Sequence, residues 1–565
     1  MTRLIDREFL DLCLHDWLGT GDIAARDTVD AVLDLSETLA RERFLTHFKA
    51  GDAQEPRIGA QGVTVHPEVR AAIAEYAELG LFGAGFAEDL GGHGLPFVVS
   101  CASFAWFAAA NIATSSYAML TVANARLIAQ FGSPAQVDAF ARPQIAGEWL
   151  GTMCLSEPQA GSDLGVVRTR AAFDGQDDLG RRYRLVGSKM WISGGEHDVG
   201  GNIVHLVLAK VAGADGSLPE GTAGLSLFIV PRVLPDGKRN DVAVAGLNHK
   251  MGYRAIPNCL LAFGENAGAV GWLVGEEGQG LRQMFMMMNE ARISVGLGAA
   301  ALACRGYGHA LAYAQERLQG RGSDGAPVPI IEHAAVRRML LAQKALGEGA
   351  LALCLYAARL VDAHADDAES AALLALLTPV VKTFSSETGL EANAMAIQVH
   401  GGYGYTRDFD VEQVWRDNRL NPIHEGTTDI QAIDLLARKL LKDGKGLAVL
   451  KARIAATCAA ADGFADEVAA LQAAWSDVDA ALEMLRLRDA ALDVATPFLF
   501  AFGHAVVGWI WLDLAIVARG KGKRIEAGTA AALRYFIACE LPRVRAWLAC
   551  CTAGGAVLEA DAGWM

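Results

Sequence analysis

The stretch YRLVGSKMWISGGEHDVGGNIVHLVLAKV, Tyr183–Val211, holds two short runs of bulky and β-branched residues, Tyr183–Ile192 and Ile203–Val211, parted by glycines and an aspartate. Runs of that length between turn formers read as strands. The same texture extends through Leu225–Val230, Val242–Leu247 and Asn258–Phe263. Toward the N-terminus the apolar spacing changes to a helical period around Ala25–Leu39, Pro67–Leu79 and Pro134–Ile145, with Gly91-Gly92-His93-Gly94-Leu95-Pro96 as turn chemistry between them. After Gly280 long helical patterns return: Leu281–Gln319, Ile331–Ala363, an Ala/Leu-rich stretch to His400, then Ile430–Leu441. Past Gly444 the chain is Ala-rich and reads as helical to its end. Helices, then strands, then helices predict a multidomain α+β protein with segregated layers, not an alternating βαβ fold. The texture changes divide it into 1–150 (N-terminal helical), 151–280 (a compact β domain), 281–444 (a C-terminal helical bundle) and 445–565 (a helical extension). No repeat of 20–50 residues is visible.

The length of 565 residues exceeds one ordinary core. Lys and Arg total 50 against 65 Asp and Glu, a net charge of −15, which excludes a broadly basic nucleic-acid binder. The ten cysteines form no CxxC pair and sit mostly among apolar residues, so reduced thiols in a cytoplasmic setting are expected. The start, MTRLIDREFLDLCLHDWLG, carries acidic residues and reads as an amphipathic helix, not a signal peptide. Val494–Leu512 lacks formal charge and approaches membrane-spanning length. Pro497, Gly503, His504 and Gly508 interrupt it, so a buried or interface helix is expected, with membrane contact as the alternative.

Common motifs are absent. No P-loop, HExxH or GxSxG occurs, and no histidines show metal-ligand spacing, so no metal is expected. Gly296-Leu297-Gly298-Ala299-Ala300-Ala301 sits inside a helical pattern with no preceding strand and reads as a packing face.

Four constellations remain. Met153–Asp163 gathers hydroxyls, carboxylates and a glycine where helices give way to strands. Lys189-Met190-Trp191-Ile192-Ser193-Gly194-Gly195 ends a strand with a planar ring and a hydroxyl, which suits a flat hydrogen-bonding ring system. Gln398–Tyr405 is a glycine-rich turn at a helix end, of the kind that lets backbone approach a phosphate. In Asn421–Gln431, Thr428 and Gln431 predict a capping box, which puts Glu425 and Gly426 in the loop just before a helix N-terminus.

In that order and spacing, these segments resemble the acyl-CoA dehydrogenase family of flavoproteins from about residue 30 to 441. The extension, with Gly503-His504-Ala505-Val506-Val507-Gly508-Trp509, resembles that of the larger bacterial members, among them the methylthiopropionyl-CoA dehydrogenases. The resemblance implies an N-terminal helical domain, a central β-barrel-like domain, and a C-terminal four-helix bundle followed by the helical extension. It implies FAD as cofactor, with Leu155, Ser156, Trp191 and Ser193 against the isoalloxazine ring and Thr427 and Asp429 at flavin-contacting positions. Asp429 departs from the more common Gln. Arg317, Gln398, Gly401 and Gly402 match groups that bind the FAD pyrophosphate and adenosine across a subunit interface. A homodimer with shared FAD sites follows, the extension filling the space smaller members use for a second dimer contact. Ser162 matches a position near the CoA phosphates; Asn289 and Arg292 match CoA-holding groups, with Asn in place of the familiar Asp. The resemblance likewise assigns His424 and Gly426, on either side of Glu425, to substrate binding.

Glu425 matches the catalytic base. Alone, a loop glutamate reads as a solvated charge; its context reverses this. Some members carry the base directly before the CoA-binding Arg, but that position here is Ala291, and Glu290 is one residue off and faces elsewhere on its helix. The implied activity is α,β-dehydrogenation of an acyl-CoA to a trans-2-enoyl-CoA, with electrons passed to an electron-transfer flavoprotein. Two alternatives stand beside it: an acyl-CoA oxidase using O₂, and a flavin-bearing nucleic-acid-binding relative without turnover. The second needs a basic C-terminal surface, and Lys521, Lys523 and Arg524 are few among acidic residues.

Overall fold

The computed structural model describes residues 2–60, 62–213, 215–553 and Gly563, without the side chains of 285–288. The end of the expected helical extension, 554–562 and 564–565, lies outside the described residues. The chain forms two compact units: Met1–Leu33, Phe97–Ala109 and Arg292–Met565 make one, Asp34–Pro96 and Ala110–Ala291 the other.

The second unit is built on eight strands: β1 (Leu150–Cys154), β2 (Arg170–Asp177), β3 (Gly180–Ser193), β4 (Ile203–Val211), β5 (Leu225–Pro231), β6 (Val242–Leu247), β7 (Asn258–Phe263) and β8 (Ala269–Leu273). Their order is β8-β5-β4-β2-β3-β7-β6, with β1 pairing parallel to β4. β8 also pairs with β3, through Ala269↔Leu185 to Trp272↔Arg182, which closes a barrel-like ring. β4 and β5 are mostly apolar and buried along almost their whole length because both faces are covered, with His205, Lys210 and Ser226 buried among them. Alternate residues of β4 serve different cores: Leu206 and Leu208 pack with Phe140, Ile145 and Trp272, whereas Val207 and Ala209 pack with Tyr183, Leu185 and Phe228. Helices of this unit include α1 (Arg26–Leu39, its later part), α2 (Pro67–Glu78) and the second half of α3 (Phe97–Phe131), which kinks at Asn111.

The first unit contains α4 (Gly280–Glu316, from Arg292), α5 (Ala334–Ala363), α6 (Ala368–His400), α7 (Val411–Asn418) and the short α8 (Thr428–Ile433). The extension adds α9 (Lys445–Ala460), α10 (Ala465–Arg486), α11 (Ala495–Val517), α12 (Lys523–Tyr535) and α13 (Arg543–Ala553). α11 contains the apolar stretch read from the sequence, and its Phe498, Phe502, Trp509 and Trp511 are buried. Trp511 donates its indole N–H to the Ala345 carbonyl at 3.0 Å, and Trp509 donates to the Thr457 hydroxyl at 2.9 Å. Gly349 makes room for Trp511: a Cβ there would lie 2.7 Å from the indole nitrogen. Among the described residues three helices are long and apolar enough to cross a membrane (Phe97–Phe131, Ala368–Tyr405, Ala491–Val517), and at least 72% of the apolar window in each is buried. For α11, burial in the extension accounts for its composition. All ten cysteines are free thiols.

Candidate active site

The loop 419–427 connects α7 to α8. Helix α8 starts one residue earlier than the expected capping box requires. Thr427 is the N-cap and accepts from the Ile430 N–H at 3.4 Å. Thr428 therefore lies inside the first turn, where its hydroxyl donates to Glu387 at 2.5 Å. The buried Gln431 amide turns back to donate to the carbonyls of Glu425 (3.2 Å) and Gly426 (3.3 Å), so it braces the loop instead of closing a box. Glu425 and Gly426 do precede the helix, as expected.

Glu425 takes φ +53, and Gly426 follows at φ +92. Left-handed backbone at a non-glycine residue costs about 1–3 kcal/mol and persists where its surroundings enforce it. Among the described residues only Trp191, Tyr253 and Glu425 do this without being glycine. The bracing comes from buried amides. Asn393 donates to the Leu302 carbonyl at 2.9 Å, Asn418 to Asn393 at 2.7 Å, and Asn421 to Asn418 at 2.8 Å. His424 closes the series with its Nε2 3.1 Å from the Asn421 oxygen. Burial, aided by the Lys382 charge, pushes the His424 imidazole down to about 3, so it is neutral.

Burial raises the Glu425 carboxyl above its ordinary range, while Arg292 and Lys382 pull it down. Arg292 is itself buried and paired with Asp434 at 2.8 Å. Lys382 donates to the Pro422 carbonyl at 2.9 Å. Burial thus wins over the attraction of the two cations. Glu290 is held elsewhere, in an ion pair with Arg126 at 2.5 Å, and Ala291 packs against the apolar core. Asn289 lies half-buried on α4 beside it. Exposed Asp429 accepts from the Thr496 hydroxyl at 2.5 Å, which ties α8 to the first turn of α11.

In the β unit, pairing between β3 and β7 slips between Lys189↔Leu261 and Ile192↔Cys259. This bulge turns Trp191 outward at φ +67, with 61% of its surface exposed. The Met190 N–H donates to the Ser156 carbonyl at 2.9 Å, and buried Lys189 donates to the Leu155 carbonyl at 2.9 Å. Leu155, Ser156, Trp191 and Ser193 are thereby brought together, Ser193 accepting from Asn258 at 3.2 Å. Lys189 also pairs with Glu157 at 2.9 Å. Burial pushes Glu157 up, but Lys189, the Thr169 hydroxyl and the Arg168 amide outweigh it and hold the carboxyl at about 2. Ser162 lies exposed in the following turn, after the Glu157–Ala160 bridge.

Arg317 follows the end of α4, exposed, with its guanidinium 5.9 Å from the centre of the Tyr403 ring. It thus meets the Gly401–Tyr405 turn that ends α6, beside exposed Gln398. Gly401 requires glycine for its φ of +61, but at neither Gly401 nor Gly402 would a Cβ meet any atom within 4 Å. Gly402 therefore has no internal reason to lack a side chain, which suits close approach by an external group. Sequence reading quoted Lys189, Glu157 and Asn421 within its constellations without giving them a role, and it missed Lys382, Asn393 and Asn418. The available signal was a charge or amide inside an otherwise apolar run, which demands a partner.

Four family models match in sequence. They are the N-terminal domain (40–148), middle domain (152–265) and C-terminal domain (278–441) of acyl-CoA dehydrogenases, and an acetyl-CoA dehydrogenase C-terminal-like domain (450–561). A 3-methylmercaptopropionyl-CoA dehydrogenase of Ruegeria pomeroyi is 38% identical over 81% of this chain and 80% of its own. The chain belongs to the acyl-CoA dehydrogenase family. A broad-specificity linear acyl-CoA dehydrogenase of Mycobacterium tuberculosis is 34% identical over 89% of this chain and 87% of its own. Among solved structures, Caenorhabditis elegans ACDH-11 in complex with C11-CoA matches with a TM-score of 0.78 at 21% identity, covering 98% of this chain and 94% of that one. A Bacillus anthracis acyl-CoA dehydrogenase complexed with FAD matches with a TM-score of 0.79 at 20% identity, covering 99% and 93%. Both matches extend through the helical extension, so the fold of this acyl-CoA dehydrogenase is shared along nearly its whole length.

Proposed function

We propose that this acyl-CoA dehydrogenase converts an acyl-CoA thioester to its trans-2-enoyl-CoA with FAD as cofactor and an electron-transfer flavoprotein as electron acceptor. The Glu425 loop carries the reading: a carboxyl held on strained backbone, braced by buried amides and raised by burial, is a base prepared to take one proton. The residues fit FAD. An outward Trp191 ring beside Ser156 and Ser193 offers a flat hydrogen-bonding surface, and Gly401–Gly402 with Arg317 and Gln398 offers open backbone and a cation for a pyrophosphate. Bound FAD would supply the two-electron acceptor for the β-hydride. Glu425 takes the α-proton. The Gly426 region supplies backbone N–H to the thioester oxygen as negative charge develops there. Leu155, Thr427 and Asp429 are assigned to the flavin, and Ser162, Asn289, Arg292 and His424 to the substrate side. Arg292 acts through its closed pair with Asp434.

We read four domains, 1–150, 151–280, 281–444 and 445–565, in a cytoplasmic homodimer whose subunits share each FAD through the Arg317 and Gly401–Gly402 groups. Light scattering of flavin-loaded protein should give a dimer; a flavin-loaded monomer contradicts the sharing. The activity is tested by anaerobic mixing of the yellow protein with a panel of acyl-CoA esters. Bleaching of the flavin band with formation of enoyl-CoA is expected, and recovery of colour on adding electron-transfer flavoprotein. Rapid recovery in air alone would make it an oxidase. Protein that carries no flavin and gains none on incubation with FAD would overturn the reading.

A further inference from the structure

Lys382 is a cation in the wrong surroundings. It lies on α6 with no exposed surface of its own. An uncompensated ammonium in such a place is destabilising, and a methionine of similar reach would fill the space without that penalty. Among the described residues its ammonium makes one hydrogen bond, to the Pro422 carbonyl three residues before Glu425. Charged groups surround it from every side of the loop: Glu387 on α6, Arg292 on α4, and Glu425 itself. Two of these are committed elsewhere. Arg292 is closed on Asp434, and Glu387 accepts from Thr428. His424, facing the same lysine, is neutral. No carboxylate among the described residues closes on Lys382 as Asp434 closes on Arg292.

We infer that Lys382 is a positioning residue for the base: it fixes the loop through the Pro422 carbonyl, three residues before Glu425, and its charge, together with that of Arg292, tunes that base. The inference rests on Glu425 being the base. Burial disfavours the ionised form of Glu425, whereas a closed ion pair would make it too weak to accept an α-proton. A cation bonded to a backbone carbonyl gives an intermediate strength. Burial also draws Lys382 itself down to about 8, despite the pull of Glu387 and Glu425, so it is still charged at neutral pH.

The test compares Lys382→Gln and Lys382→Met with parent in flavin-loaded, full-length protein. Gln keeps a donor for Pro422 without the charge; Met keeps neither. Two readouts apply: single-turnover flavin reduction as a function of pH, and infrared titration of the Glu425 carboxyl in substrate-free protein, its band assigned by its loss in Glu425→Gln. An opposite charge nearby typically lowers a carboxyl by about one unit or more. Both variants should therefore move the Glu425 midpoint upward by about one pH unit, with reduction about ten-fold slower below both midpoints. Gln should approach the parent rate at alkaline pH, whereas Met should stay slower throughout because the loop is also released. If Met fails to fold, Gln alone decides the charge. An unmoved midpoint in Lys382→Gln, by rate and by infrared, overturns the inference. If instead Glu425→Gln reduces flavin at the parent rate, the base is misassigned, and the infrared titration still reports whether Lys382 tunes that carboxyl.

Discussion

Glu425→Gln should keep FAD and acyl-CoA binding and lose flavin reduction. Gln preserves size, and the loop is held by groups the substitution does not touch: Gln431 on the 425 and 426 carbonyls, Thr427 on the helix N-terminus, and the Asn393–Asn418–Asn421 series. Only the proton acceptor disappears. Removing a positioned base slows a reaction by about 10²–10⁴-fold, and by more where water cannot replace it. Single-turnover bleaching isolates this step from reoxidation. Glu290→Gln is the control: its carboxylate is engaged by Arg126, so the reduction rate should stay close to parent. A Glu425→Gln protein that bleaches as fast as parent, with Glu290→Gln inactive, would move the base to α4.

Lys189→Met should lower stability by about 3–5 kcal/mol, the range for removing one partner of a buried pair. Glu157 would be left 3% exposed with its cation gone. The Leu155 carbonyl would lose its donor too, so the Leu155–Ser156 segment should hold flavin less tightly. The double variant Lys189→Met/Glu157→Leu removes both charges and should recover part of the loss, because the Arg168 and Thr169 N–H groups still lose their acceptor. Denaturant unfolding of the three proteins checks this, and a single variant within about 1 kcal/mol of parent would show the pair to be dispensable. The parent carries a matching acid sensitivity. Glu157 is held at about 2, below its unfolded value, so its contribution is complete above about pH 4.5 and is lost as pH falls toward 2.

The strand run Tyr183–Val211 was legible because runs of bulky and β-branched residues between turn formers are local properties, and the helices on either side announce themselves by period. The bulge at Met190–Trp191 was not, because a bulge is defined by the register of the partner strand, here Leu261 and Cys259. The cap at α8 was misplaced by one residue since Thr427 and Thr428 are equally able caps in sequence; a tertiary partner, Glu387, decides between them. Arg317 and the Gly401–Tyr405 turn, which the resemblance assigns to one ligand, lie side by side across about 80 residues that no local pattern spans. The amide series links Leu302, Asn393, Asn418 and Asn421, whose separations hide it from any window.

The indole of Trp511 has a consequence for how such chains can be cut and recombined. Family boundaries leave the extension as a separate piece beginning at residue 450. The hydrogen bonds do not respect that border. Trp511 reaches the Ala345 carbonyl and occupies the notch left by Gly349, both on α5. A chimera that joins this extension to another bundle must therefore import the notch along with it. Any larger side chain at position 349 would expel the ring, and an enzyme trimmed at residue 444 would present an empty slot and an apolar helix face to water. The extension is inherited together with the surface it grips.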